Sequence, residues 1–470
     1  MLSFHATSLA NASAGSAGGS HVKFIFLGVL IAMIAALALE EKIHAKKSMI
    51  TGFFAVIALL LGAMFDILPK GAALTLPGSN HALPVYIPAI EWEVIAIILG
   101  SSLFIDVVSR SGIFTWTAIK LTKVSGGDPR KLLIYYSVLT VVFSAVLNNV
   151  TAMIIVGSLT AVSLSKLERK DLLLPFLLTE GFMTNIGGLL TLISSVPNII
   201  LGSMAGISFI KFFVVAAPYV IVATAATIWL ATRLFGIKGL TTDDERAAAK
   251  ELVASFDEND GIASQSFFTL SWFLLGAFIC VIATTEWLPY IRQLGMGYVA
   301  MGFAIIALLR YKHEVDKNYA AIDWDLLAFF AYLFVVINVM EHAGVLALIG
   351  DGIKQLLALG QIGGGVALLW SSAAASSLTD NVPLAAVMGN ILTTAGPHNS
   401  DWWFTIFGTN LGGNFTPIGS ASTVVAVSII HRNDLKLNFG TFVIKALPFA
   451  IAQLILATGY VILADAIGLI

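Results

Sequence analysis

Four short stretches gather the polar side chains of an otherwise apolar chain: LNNVTAM at 147–153, TNIGGLLTLISSVPN at 184–198, LTDNVPL at 378–384 and TNLGGNFTPIGSAST at 409–423. They carry amides, hydroxyls and glycines, and one carboxylate, Asp380. Neutral oxygens of this kind suit a sodium-like cation, as oxygen ligands suit calcium and magnesium. Gly-Gly pairs permit unwinding and close backbone approach. Binding candidates are Asn148, Asn149, Thr151, Asn185, Gly187, Thr191, Ser194, Ser195, Asn198, Asp380, Asn381, Asn410, Asn414, Thr416, Ser420, Ser422 and Thr423. Sodium is expected at Asn148, Ser195, Asp380 and Ser420, and no other metal or cofactor is expected. Two carboxyls are candidates to carry a proton: Asp380, and Glu180, which precedes Asn185 in the same run. Small and amide residues also hold membrane helices together, but four matched stretches in one order favour a site.

The elements that position these residues follow from composition. The chain has 470 residues, 58% hydrophobic and 11% charged, where a soluble chain carries about 25% charged residues. That excludes a soluble enzyme and a disordered chain and implies an all-α polytopic membrane protein. The formal net charge of −2 offers no basic face for nucleic acid. The single cysteine, Cys280, forms no intrachain disulfide and no Cys-based metal site. Its plain reading is a small hydrophobe.

A simple span needs about 20 residues. The runs 131–165 and 360–396 are too long for one span and polar at their middles, so each is expected to be a re-entrant hairpin. The runs 172–205 and 402–430 carry Asn-Gly-Gly in mid-run and read as broken helices. Such breaks survive at membrane depth only where they face protein or a water-filled cavity. With the two hairpins uncrossed, the Lys/Arg clusters all fall on one side, which is the cytoplasm by the positive-inside rule. Both termini are then outside. The expected organisation is a flexible external tail (1–21), a first membrane repeat (22–235), a cytoplasmic linker (236–265) and a second repeat (266–470). The linker reads as a solvated connection. Trp92, Trp324, Trp402 and Trp403 open apolar runs and read as interfacial belts. Asp106 and Arg110 have the spacing of an i,i+4 helical pair.

The halves repeat. Asn148-Asn149-Val150 matches Asp380-Asn381-Val382, and Thr184-Asn185-Ile186-Gly187-Gly188 matches Thr409-Asn410-Leu411-Gly412-Gly413. Ser195 falls on Ser420 and Thr191 on Thr416. On the charge map the matching segments run in opposite directions across the membrane. That is an inverted-topology repeat, in which interrupted helices of both halves meet around the substrate.

SAVLNNVT (144–151), NIGGLLTLISSVPNII (185–200), IDWDLLAFF (322–330), EHAG (341–344) and NLGGNFTPIGSAST (410–423) resemble the ion transporter superfamily. The similarity lies on its branch of arsenite-efflux proteins, sodium–proton antiporters and citrate-transporter-like permeases. The resemblance covers roughly 25–468. It implies scaffold helices plus a hairpin and a broken helix in each repeat, a homodimer, elevator-like movement and a bacterial-type inner or plasma membrane. Many relatives carry an acid where this chain has Asn148 and another where it has Ser195. The second half keeps its acid, Asp380.

The expected activity is ion-coupled secondary transport, with a lipid bilayer and a small ion or small acid as partners. No Gly-rich phosphate loop with Lys is present, so a primary pump would need a separate ATPase subunit. Three readings stay open. One is proton-coupled export of sodium or a small oxyacid such as arsenite. Another is sodium-coupled import of a carboxylate or inorganic anion held on half-helix N-termini. The third is a channel or a non-transporting receptor. The map is checked by cysteine labelling in intact vesicles. Lys166→Cys should react only from the cytoplasmic face and His398→Cys only from outside; reaction of Lys166→Cys from outside would overturn it.

Overall fold

The computed structural model describes residues 20–68, 83–311, 315–378 and 381–470. Asp380 and Thr379 lie outside the described residues, as does most of the 1–21 tail. Among the described residues the regular structure is helical, and nine helices are long and apolar enough to cross a membrane. In chain order they begin with α1 (Ser20–Ala38), α2 (Glu40–Ile43), α3 (Lys47–Met64), α4 (Trp92–Ser109) and α5 (Ile113–Ser125). There follow α6 (Pro129–Val146), α7 (Asn149–Lys166), α8 (Leu173–Gly187), α9 (Val196–Met204) and α10 (Phe209–Leu234). The middle holds α11 (Asp243–Ala254), α12 (Gln265–Ala283), α13 (Ile291–Leu308), α14 (Val315–Ala321) and α15 (Trp324–His342). The chain ends with α16 (Val345–Leu357), α17 (Gln361–Leu378), α18 (Asn381–Ala395), α19 (Asn399–Gly412), α20 (Ala421–Arg432) and α21 (Phe439–Ala466).

Two compact units emerge. The smaller is Met1–Ile90 with Ala328–Ile349, and the larger is Glu91–Leu327 with Gly350–Ile470. Within the smaller unit Phe26 meets Phe65 edge-on, with ring centroids 6.3 Å apart. Gly52 there leaves room for the Tyr332 ring.

The larger unit contains every described candidate residue. The run 131–165 is realised as α6 and α7, joined by Leu147-Asn148. Asp128 caps α6 ahead of Pro129, and Asn148 caps α7 through Oδ1, which accepts the Thr151 N–H at 2.7 Å. The run 172–205 divides into α8 and α9, and 402–430 into α19 and α20. Each division starts at a Gly-Gly pair and ends at a serine, Ser195 before α9 and Ser420 before α20.

Glycine fixes how closely the parts approach. A Cβ on Gly187 of α8 would lie 2.6 Å from the Val141 carbonyl oxygen of α6. On Gly412 of α19 it would lie 2.4 Å from the Ala373 carbonyl oxygen of α17. These are the same contact in the two halves. α19 is buried on every face from Ser400 to Gly412, and α8 is nearly so, as expected for helices enclosed by others.

Two expectations need correction. Trp402 and Trp403 do not form an interfacial belt. Trp403 is 1% exposed, its ring 5.2 Å from Phe212 and 6.4 Å from Phe407. The start of an apolar run looks like a membrane boundary, but α9, α17, α18 and α21 pack around α19. Trp92 and Trp324 are exposed.

The 236–265 segment is also more than a solvated connection. Thr242 and Glu245 form a capping box that starts α11. The Leu240 N–H donates to Asp128 Oδ2 at 2.9 Å, on the residue that caps α6. Lys123 pairs with Glu258 and holds its carboxyl below the usual range. Lys166 lies 4.1 Å from the Phe256 ring centroid, and Val253 and Phe256 are buried. The segment is docked on the base of α5, α6 and α7.

The close glycine contacts are open to test. Gly412→Ala and Gly187→Ala should each destabilise the purified protein by about 1–3 kcal/mol, the usual cost of overpacking. Gly459→Ala meets nothing within 4 Å and should be neutral. Thermal unfolding in detergent reads the difference; equal midpoints for all three variants would refute the packing argument.

Candidate functional site

The two Gly-Gly breaks meet, and their side chains cross. Asn185 at the end of α8 donates through Nδ2 to Ser420 Oγ at 3.1 Å and to Asn414 Oδ1 at 2.7 Å. In the opposite sense Ser195 Oγ donates to Asn410 Oδ1 at 2.8 Å. Thus each break's asparagine is bound to the serine that precedes the other break's second helix. Asn410 Nδ2 also donates to Asn198 Oδ1 at 2.8 Å and to the Ile406 carbonyl at 2.8 Å. All of these residues are buried.

Hydroxyls extend the cluster around Ser420. Its Oγ lies 2.7 Å from Thr423 Oγ1 and 3.2 Å from Ser422 Oγ. Ser422 in turn accepts from Thr184 Oγ1 at 2.9 Å. Thr423 Oγ1 donates to the Gly413 carbonyl at 3.3 Å.

The freed backbone of the breaks is held by the same kinds of group. Asn198 Nδ2 donates to the carbonyls of Gly188 and Thr191 at 2.6 and 3.0 Å. Ser194 Oγ reaches the same two carbonyls at 2.6 and 2.7 Å. Thr191 donates to Ala145 O, and its repeat partner Thr416 donates to Ser377 O, both at 2.6 Å. Ser144 reaches Thr184 O at 2.6 Å and Ser376 reaches Thr409 O at 2.7 Å. An unsatisfied peptide group in an apolar environment costs several kcal/mol, so these bonds are conditions of the breaks.

The candidates divide by position. Asn185, Ser195, Asn198, Asn410, Asn414, Ser420, Ser422 and Thr423 form the crossed cluster. Thr191, Ser194, Thr416 and Gly187 shape its frame. Asn149 Oδ1 accepts from Ser144 at 2.6 Å, and its amide covers Gly188. Asn148 is exposed and spends its oxygen on the α7 cap, with Thr151 as its partner. Asn381 is buried at the start of α18. The four sodium positions are therefore not joined by contacts among the described residues: Ser195 and Ser420 enter the cluster and Asn148 does not. Among the described residues no three His, Cys, Asp or Glu side chains come together to hold a metal.

Gln453 is a member the sequence reading did not single out. It is 1% exposed. Its Oε1 accepts from Asn414 Nδ2 at 2.7 Å, and its Nε2 donates to Thr227 Oγ1 at 3.1 Å. Its backbone carbonyl accepts from Tyr219 at 3.0 Å. It thereby ties the second break to α10 and α21. The available signal was an amide in the middle of an apolar run.

Among the described residues no charged side chain contributes to the cluster, and α9 and α20 begin at it, placing partial positive charge there. Glu180 sits apart, buried on α8. Its Oε1 accepts from Thr160 Oγ1 at 2.5 Å, while Oε2 has no partner among the described residues. Asp106 pairs with Arg110 at 3.0 Å, on one helix end.

Comparison with known proteins agrees with this architecture. A Mycobacterium tuberculosis protein described as an uncharacterized transporter is 28% identical over 390 residues, covering 80% of this chain and 87% of its own. The 46 kDa membrane protein of Mycobacterium leprae is 29% identical over 403 residues, covering 83% and 91%. The human P protein is 24% identical over 518 residues, and the match takes in 92% of this chain and 61% of the longer P protein. The crystal structure of the Alcanivorax borkumensis YdaH transporter shares the fold, with a TM-score of 0.61 at 12% identity over 90% of this chain and 99% of that one. The citrate transporter family model (CitMHS) matches residues 21–407, and the chain belongs to that family of membrane transporters.

Proposed function

We propose that the chain is a cation-coupled secondary transporter of a small carboxylate of the citrate class, bound where the two breaks cross. The carrying observation is that the N-termini of α9 and α20 converge on a cluster of amides and hydroxyls that holds no basic side chain among the described residues. Helix N-termini and amide donors receive carboxylate oxygens. With no lysine or arginine among the described residues of the cluster to balance it, the anion's charge calls for a cation that travels with it. The family's description as a citrate transporter favours a carboxylate over sodium or arsenite as the cargo. Asp380, whose place in the repeat marks it for cation exchange, lies outside the described residues, and its role rests on the sequence.

Proteoliposomes test this directly. Labelled citrate should accumulate under an inward proton or sodium gradient. Asn185→Ala and Asn410→Ala should each raise the KM for citrate by about tenfold, because each leaves buried groups that frame the site without their partners. Absence of citrate uptake, with outward movement of arsenite or sodium against a proton gradient instead, would replace this reading with the antiport one.

A further inference from the structure

The buried carboxyl of Glu180 lies between two sets of hydrogen-bonded hydroxyls. On one side, Thr122 Oγ1 meets the Tyr136 hydroxyl at 2.5 Å, and Tyr136 meets Ser163 Oγ at 2.8 Å. In both contacts either oxygen can be the donor. Ser163 lies one turn from Thr160 on the same face of α7, and Thr160 donates to Glu180 Oε1. On the other side, Thr184 lies one turn from Glu180 on α8. Thr184 donates to Ser422, which contacts Ser420 and through it Asn185. Thr122, Tyr136, Thr160, Ser163, Glu180 and Thr184 are all fully enclosed.

We propose that Glu180 is the internal station of a proton path, running from Thr122 through Tyr136, Ser163 and Thr160 to the carboxyl and on through Thr184 and Ser422 to the crossed cluster. The proposal deepens the transport reading and rests on it for its role in coupling. A hydroxyl both donates and accepts, so each can take a proton on a lone pair and release its own. Only O–H bonds form and break, and no other reactant is needed. Oε2, with no partner among the described residues, is the oxygen free to take the proton. No ion pair among the described residues competes for it. Tyr136 is the titratable side chain that α6 adds to these hydroxyls; α7 offers Thr160, and α20 presents Ala426 beside Gly181. Beyond Thr122, the next residue of α5, Lys123, is partly exposed and pairs with Glu258 of the docked linker.

Infrared difference spectroscopy on the full-length protein in lipid, between acid and alkaline buffer, needs no substrate. The wild type should show a protonated-carboxyl C=O band that is lost in Glu180→Gln, in which Thr160 keeps an acceptor. Identical spectra for the two proteins would overturn the proposal. In citrate-loaded proteoliposomes, Tyr136→Phe and Thr160→Val should lose proton-driven accumulation while retaining citrate–citrate exchange. Unchanged accumulation, or loss of exchange along with it, would show these hydroxyls to be without a part in proton movement. If the wild type moves no citrate, the transport reading falls, and the infrared result still decides whether Glu180 takes a proton.

Discussion

An interrupted helix inside an apolar protein exposes peptide groups that water cannot reach, and satisfying them constrains everything else in this molecule. Each break frees carbonyls near Gly188 and Thr191, or near Gly413, and each is answered by a hydroxyl or amide close at hand. Leaving such a group unanswered costs about 1–3 kcal/mol even on the modest scale of protein mutations. The polar side chains at the centre therefore serve two ends at once. They hold the broken backbone in place, and they present a surface of neutral donors and acceptors. A residue such as Asn198, which both ties two carbonyls and meets Asn410, belongs wholly to neither task.

The crossing of Asn185 to Ser420 and of Ser195 to Asn410 makes the halves depend on one another. Neither cluster of side chains is satisfied within its own repeat. Repeated glycine contacts keep α8 against α6 and α19 against α17 in the same way. Gln453 then fastens this centre to the two long helices, α10 and α21, each carrying an interior proline, Pro218 and Pro448.

Much of this arrangement is legible in the sequence, because the doubled words place a Gly-Gly pair and a serine at equal spacing in both halves. The breaks of 172–205 and 402–430 fall at those pairs. Residues whose role comes from a distant partner are harder to read. Thr227 and Gln453 are single polar residues in apolar runs, and only the fold brings them together. The Thr242–Glu245 box was a visible helix start, but a surrounding stretch of acidic residues disguised it as a loop. Trp402 and Trp403 open an apolar run in the way an interfacial pair would, and nothing local reveals that other helices surround them.

The crossed hydrogen bonds also bear on how the chain is made. Asn185 and its partners Asn414 and Ser420 are separated by 229 and 235 residues. At synthesis rates of about 5–20 residues per second, the second break follows the first by on the order of ten to fifty seconds. For that interval the first half is in the membrane with its central amide and serine awaiting partners that have yet to leave the ribosome. Assembly of the centre is thus a late event, and the nascent first half is a distinct species for the insertion machinery to shelter.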